Sequence, residues 1–252
     1  MLKNRETPTS EGYSQSSKKP KSAEITPGPG FRVRKNISRP SKDLIAKFSD
    51  FNTADISDKL NRMYTMCAEI RSMTDVKRVV GPACTVKVFP GDNLMVHKAL
   101  DIAQPGDVVV IDTTGSRNHA VLGDLITTKA KHRGIAGFVI DGLIRDVEDV
   151  GEVGLPVFAR GVTPFGPLHR GPGEINYSVS CGGIVVEPGD IVAADSDGVV
   201  VVRKEFAETT IKMLQNHRES MSAYVADVRK GIFSNDWVDD QLVRDGCDFH
   251  DL

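Results

Sequence analysis

Little in this sequence suits secretion, a membrane or a disulfide framework. Its four cysteines, Cys67, Cys84, Cys181 and Cys247, lie far apart without a CxxC pair. That usage reads as free thiols in a reducing compartment rather than cross-links or a zinc set. Apolar runs are short, Val199 to Val202 being typical, far below the roughly 20 residues a membrane span needs. Met1 to Ser17 has no apolar core of a secretory signal, so the expected location is cytoplasmic and no membrane partner is expected. No GxGxxG joins a strand to a helix, and there is no Walker loop, GxSxG elbow or HExxH. Methyltransferase and dehydrogenase readings therefore have no support. The six histidines are dispersed, and each alone is more often a packed or surface residue than a ligand.

What is present is enough for one sizeable core: 252 residues, 40% hydrophobic and 26% charged. The net charge of −2 hides an asymmetry, because residues 1–40 carry a net +6 and the remainder −8. The basic stretch is rich in Ser, Pro, Gly and Thr and shows no periodicity, so 1–40 is expected to be a disordered leader. The acidic remainder argues against nucleic acid as a partner of the folded part.

Periodicity places the elements. Ser41 caps a helix that sets Leu44, Ile45 and Phe48 on one face, and a second short helix follows Thr53. Ala83 to Phe89 reads as a strand with Lys87 on its solvent face, a bland role preferred to a Schiff-base lysine. Pro-Gly-Asp recurs at 90–92, 105–107 and 188–190, with Pro and Gly placed as a type II turn requires. The first triplet leads into a helix capped by Asp92 or Asn93. The other two lead into strands Val108 to Ile111 and Ile191 to Ala194, the latter joined to Val199–Val202 by an Asp197-Gly198 hairpin. Ala120 to Arg133 reads as a helix ended by Gly134, Ile135 to Asp141 as a buried strand, and Arg145 to Val153 as a short helix. Alternating strands and helices argue an α/β fold. Glu205 to Lys230 reads as a long polar helix whose apolar face (Ile211, Leu214, Met221, Val225) suits a neighbouring subunit. The expected organisation is a leader at 1–40, an α/β domain at 41–204, and a C-terminal helix and tail at 205–252.

Charges gather near the ends of the central elements. Asp124 lies early in its helix, where backbone N–H groups are unpaired. Arg145 and Asp146 follow a buried strand, where α/β proteins usually bind ligands. A generic Arg-Asp dipeptide is more often a solvated ion pair, but here Asp124 precedes Arg145-Asp146 by twenty intervening residues. This pattern resembles the signature of the class II 4-hydroxy-4-methyl-2-oxoglutarate/4-carboxy-4-hydroxy-2-oxoadipate aldolases, in the family that resembles the regulator of ribonuclease activity A. The likeness runs from about Ser41 to Val202 and includes GDNLMVHKAL (91–100), PGDVVVID (105–112), GDLITTKAKHRGIAGFVIDGLIRD (123–146), LPVFARGVTP (155–164) and PGDIVAADSDGVVVV (188–202).

The resemblance implies a three-layer sandwich like the swivelling β/β/α fold, assembled as a homotrimer or homohexamer. It implies Mg2+ or Mn2+ on Asp146, with Asp124 holding metal-bound water. Arg145 would contact the ketone oxygen of a pyruvyl unit, and Gly123, Leu125 and Ile126 would receive its carboxylate at the helix start. Glu219, from a neighbouring subunit's C-terminal helix, would complete the site. The implied reaction is cleavage of a 4-hydroxy-2-oxo acid to pyruvate through an enolate. A water held by the carboxylates would act as base, and oxaloacetate decarboxylation would be a side activity. The rival reading is a non-enzymatic regulator that binds a protein; that regulator lacks the Asp after the Arg, whereas Asp146 is present here. A third reading keeps the pyruvate-enolate site but changes the rest of the substrate.

Overall fold

A computed structural model of the chain describes residues 24–250. In chain order the elements are β1 (Phe31–Val33), α1 (Lys42–Phe48), α2 (Thr53–Lys59), β2 (Arg71–Ser72), β3 (Val79–Val88), α3 (Leu94–Ala99), β4 (Val108–Asp112) and α4 (Asp124–His132). They continue with β5 (Gly137–Asp141), β6 (Leu143–Ile144), α5 (Val147–Val153), β7 (Val157–Ala159), β8 (Gly161–Val162), β9 (Gly173–Ile175), β10 (Val179–Cys181) and β11 (Ile184–Val186). The chain closes with β12 (Ile191–Asp195), β13 (Gly198–Val202), α6 (Ala207–Arg229) and α7 (Asp236–Arg244).

The large sheet runs β1-β9-β3-β4-β5-β7-β2, with β3, β4, β5 and β7 parallel to one another. β3 belongs to two layers. Its first half, Val79 to Pro82, pairs antiparallel with β12, while Ala83 to Lys87 pairs with β4. All three Pro-Gly-Asp turns carry the positive φ that type II geometry demands at Gly, +81° at Gly91, +94° at Gly106 and +87° at Gly189. The hairpin at Asp197-Gly198 pairs β12 with β13 as the sequence suggests.

Strand alternation sorts the core into three sheets of side chains. Val109, Ile111, Phe138 and Ile140 face α3, α4 and α5, where Val96, Ala99, Ile126, Ala130 and Val150 meet them. Val108, Val110, Val139 and Phe158 face the opposite way, onto Val179, Cys181, Val186, Val192 and Val201 of the second β layer. Ile191, Ala193, Val200 and Val202 turn outward from that layer beneath Phe48, Ile56, Ala207, Ile211 and Leu214. The result is the expected α/β sandwich of helices, parallel sheet and second β layer, with a further helical cover drawn from both ends of the domain. No helix among the described residues is long and apolar enough to cross a membrane.

Several expectations need correction. The folded domain begins before Ser41. β1 pairs with β9, Arg32 and the Gly30 N–H both reach Glu174 Oε1, and Arg39 makes two hydrogen bonds to the buried Asp107 carboxylate at 2.8 and 2.7 Å. Two-point pairing to a carboxylate and a strand partner hold this segment, which composition alone does not show. Residues 1–23 of the expected leader lie outside the described residues. The helix expected from Ala120 starts only at Asp124, because Ala120 and Val121 pair with Leu143 instead. Nor are Ile211 and Leu214 left for a neighbouring subunit: they close the third core cluster of their own chain. Met221 and Val225, farther along α6, keep partly exposed surface. α7 was not foreseen at all; none of its residues is buried.

Candidate active site

The loops after β3, β4 and β5 open at one edge of the sheet, the edge where open α/β sheets bind ligands. A cavity of about 200 Å³ lies there, lined by Asn93 and His97, by Leu122 to Ile126 and Lys129, by Arg145, and by Pro167 and His169. Gly123, Asp124, Leu125, Ile126 and Arg145, all singled out by sequence, are therefore brought together.

α4 begins at this cavity without a side-chain cap. Gly123, the N-cap, is extended, and the first intrahelical bond runs from Thr127 N–H to Gly123 O at 3.2 Å. The N–H groups of Leu125 and Ile126 have no protein acceptor among the described residues, so the helix start presents free donors and the positive end of its dipole. Asp124 occupies the first helical position and lines the same cavity.

Arg145 and Asp146 are carried in by β6, which pairs with β8 as Leu143 to Gly161 and Ile144 to Val162. Arg145 N–H donates to Leu122 O at 3.1 Å, tying the dipeptide to the segment before α4. Asp146 has left-handed backbone, φ 54° and ψ 44°, at the N-cap of α5; this costs a non-glycine residue roughly 1–2 kcal/mol. Its carboxylate receives Arg145 Nε at 3.1 Å, with both side chains part-exposed. A Cβ on Gly123 would collide with the Asp146 carboxylate and sit 3.1 Å from Arg145 Cγ, so a larger residue would have to move that carboxylate from its place. At Gly166 a Cβ would stand 2.8 Å from Arg145 Nη1, so the guanidinium also lies close against this glycine.

Behind the dipeptide, Asp141 at the end of β5 is clamped. Arg160 Nε donates to one carboxylate oxygen, Gly182 N–H to the other at 2.8 Å, and Thr113 Oγ1 to the Asp141 carbonyl at 2.5 Å. Arg160 N–H also donates to Gly142 O at 2.9 Å. The Asp141 hydrogen bond, with its charge, raises the Arg160 pKa above the ordinary guanidinium range.

No group of three or more His, Cys, Asp or Glu able to hold a metal occurs among the described residues. Asp124 and Asp146 are the carboxylates at this mouth. A donor set of one or two carboxylates suits a hard cation that keeps several waters and takes further oxygens from its substrate, and does not suit a closed zinc cage. Glu219 is exposed on α6, which packs on α1 and α2, and it is not among the cavity residues of its own chain.

Sequence reasoning passed over Asn93, His97, Lys129 and His169. Asn93 Nδ2 donates to Val121 O at 2.9 Å, and Asn93 Oδ1 stands 2.6 Å from His169 Nδ1. The His97 ring meets the His169 ring edge-on at 5.4 Å. Burial, then Lys129 and His169, hold the His97 pKa below its usual value. Asn93 and His97 are four apart at the head of a helix, a signal that could have been read. His169 comes from an irregular loop and had none.

A family model described as RraA-like, Aldolase/RraA, matches residues 53–201. A protein of Halalkalibacterium halodurans, provisionally named 4-hydroxy-4-methyl-2-oxoglutarate aldolase, is 42% identical over 176 residues, 70% of this chain and 84% of that protein. Among solved structures, RraAS2 of Streptomyces coelicolor, described as an unusual member of the RNase ES inhibitor RraA protein family, is 29% identical with a TM-score of 0.67; the match covers 75% of this chain and 98% of that one. The RNA-processing inhibitor RraA of Thermus thermophilis is 32% identical with a TM-score of 0.57, over 60% and 92% of the two chains. The extent of the family match and the identity to the first of these relatives make this chain a member of the RraA-like, aldolase/RraA family.

Proposed function

We propose that the chain cleaves the C3–C4 bond of a 4-hydroxy-2-oxo acid of the 4-hydroxy-4-methyl-2-oxoglutarate or 4-carboxy-4-hydroxy-2-oxoadipate type, releasing pyruvate. The observation that carries this is the convergence, in one cavity, of an uncapped helix start with Arg145 and Asp124, and with the Asp146 carboxylate against Gly123. The names of the aldolase-like relatives support the same reading.

In this account the free N–H groups of Leu125 and Ile126 bind the substrate's C1 carboxylate. Arg145 donates to the 2-oxo oxygen, where negative charge gathers as the C3–C4 bond breaks. Donors held at the place where charge develops are worth more in the transition state than in the ground state. Asp146 would hold Mg2+ or Mn2+, with Asp124 keeping a water of its shell. The cation, when bound, supplies Lewis-acid neutralisation of the same developing charge. Oxaloacetate passes through the same enolate on losing CO2, so its decarboxylation accompanies the aldol activity. Glu219 of a neighbouring copy in a homotrimer or homohexamer would complete the site.

The second reading, a regulator that binds a ribonuclease, has the solved RraA structures in its favour. Asp146 weighs against it, because the regulator pattern lacks an acid at that place. A lactate-dehydrogenase-coupled assay for pyruvate over a series of 4-hydroxy-2-oxo acids decides between them. Turnover above background for at least one substrate, lost with EDTA, is the expected outcome. Absence of pyruvate from all of them, with the metal supplied, would leave the regulator reading.

A further inference from the structure

Aldol cleavage needs a group that takes the proton of the C4 hydroxyl, and the cavity lining includes an imidazole. His169 lines the same cavity as the α4 start and comes from the loop that leads into β9. Its ring is oriented by a chain of two hydrogen bonds. Asn93 Nδ2 donates to the Val121 carbonyl at 2.9 Å, which turns Asn93 Oδ1 toward His169 Nδ1 at 2.6 Å. An amide oxygen only accepts, so Nδ1 carries the proton, and in the neutral ring Nε2 is the nitrogen that keeps a lone pair. Asn93 is itself almost fully buried, and its N–H donates to Leu168 O at 2.9 Å, binding the histidine's loop to the head of α3. The edge of the His97 ring limits the imidazole from the side. A base held in one tautomer by a fixed partner is the arrangement that acid–base catalysis uses.

We propose that His169 is the catalytic base of the aldol step and Asn93 its positioning residue; this rests on the aldolase reading above. His169 Nε2 takes the C4 hydroxyl proton. The O–H electron pair becomes the second bond of the C4 carbonyl, the C3–C4 pair becomes the C2–C3 double bond, and the C2 carbonyl pair settles on its oxygen beside Arg145. The imidazolium then returns the proton to C3 of the enolate, giving pyruvate and regenerating the base. No oxidant or further reactant is needed. Oxaloacetate has no C4 hydroxyl, so its decarboxylation reaches the same enolate without this proton transfer.

That difference supplies the test. The full chain, with Mg2+ present, is assayed for pyruvate from 4-hydroxy-4-methyl-2-oxoglutarate and from oxaloacetate, as wild type, His169→Gln and Asn93→Ala. The ratio of aldol to decarboxylase turnover is expected to fall about 10²-fold or more in His169→Gln, the usual contribution of a general base. A smaller fall is expected in Asn93→Ala, and imidazole added to His169→Gly should restore part of the ratio. A ratio within twofold of wild type in His169→Gln would overturn the proposal and return the proton to a water beside Asp124. Equal loss of both activities would also overturn it, as the mark of a binding or folding role. Wild-type protein that turns over neither substrate refutes the aldolase reading itself, and this inference with it.

Discussion

Asp141 and Gly123 show how single residues set the geometry of the mouth. Asp141 is nearly buried and ends β5, one residue before the turn that leads to Arg145 and Asp146, and its charge is balanced by Arg160. Replacing Arg160 with Met leaves that carboxylate without its counter-charge. The pair is part-buried and Asp141 keeps the Gly182 N–H, so a loss of about 1–3 kcal/mol is expected, as for removal of one partner of a charged hydrogen bond; urea unfolding measures it, and no measurable loss would deny the clamp its role. Gly123→Ala tests approach rather than stability. The new Cβ displaces the Asp146 carboxylate and crowds Arg145, with no core side chain among its near neighbours. Pyruvate release is expected to fall about 10²-fold, as for displacement of a catalytic group by about 1 Å, with the melting temperature little changed. Full activity in Gly123→Ala would mean that the Asp146 carboxylate need not stand where it does.

At the scale of elements, the sequence was most readable where one local rule decided the structure. Ser41 accepts from Leu44 N–H as a cap should, and Gly134 and Gly154 end their helices with positive φ. β4 and β5, buried over their whole length, were visible as continuous apolar runs. Reading failed where distant partners decided. Apolar residues at 121 and 122 looked helical, but Leu143 offers Val121 a strand-like partner and Gly123 breaks the path. Likewise, nothing local announces that Arg39 will meet Asp107, sixty-eight residues away. A truncation that begins at Ser41 therefore removes more than a leader. It deletes β1 and leaves Asp107 without its guanidinium, and differential scanning calorimetry should show a clear drop in melting temperature. Arg39→Ala should reproduce most of that drop; no change in either variant would mean that this segment adds nothing to the domain.

For the whole molecule, the exposed apolar surface is uneven. Phe89, Leu125, Phe165 and Leu168 are each more than half exposed around the candidate site, and Tyr224, Ile232, Phe233 and Trp237 are likewise exposed toward the C-terminal end. Surface of this kind is common at subunit contacts, and it supports the proposal that copies of the chain assemble about the site. Multi-angle light scattering at micromolar concentration is expected to give the mass of a trimer or a hexamer; a monomer would leave Glu219 without a route to the cavity. The composition of the candidate site was legible in part. The Asp124 to Arg145-Asp146 spacing led to its anionic half and to the donors of α4, because those residues follow strands and open a helix. Its imidazole wall was not legible, since His169 reaches Asn93 only through the folded path of an irregular loop.

The measurement that bears most directly on the central claim is pyruvate release from 4-hydroxy-4-methyl-2-oxoglutarate by wild type and Asp146→Asn, paired with Mn2+ titration by calorimetry. If Asp146 holds the cation, the substitution weakens Mn2+ binding sharply and turnover falls by at least about 10²–10³, the loss that follows removal of one principal stabiliser of an oxyanion. Arg145→Ala, measured beside it, loses turnover but keeps its Mn2+ affinity. Wild-type rates in both variants, or a wild-type activity indifferent to chelator, would contradict the account.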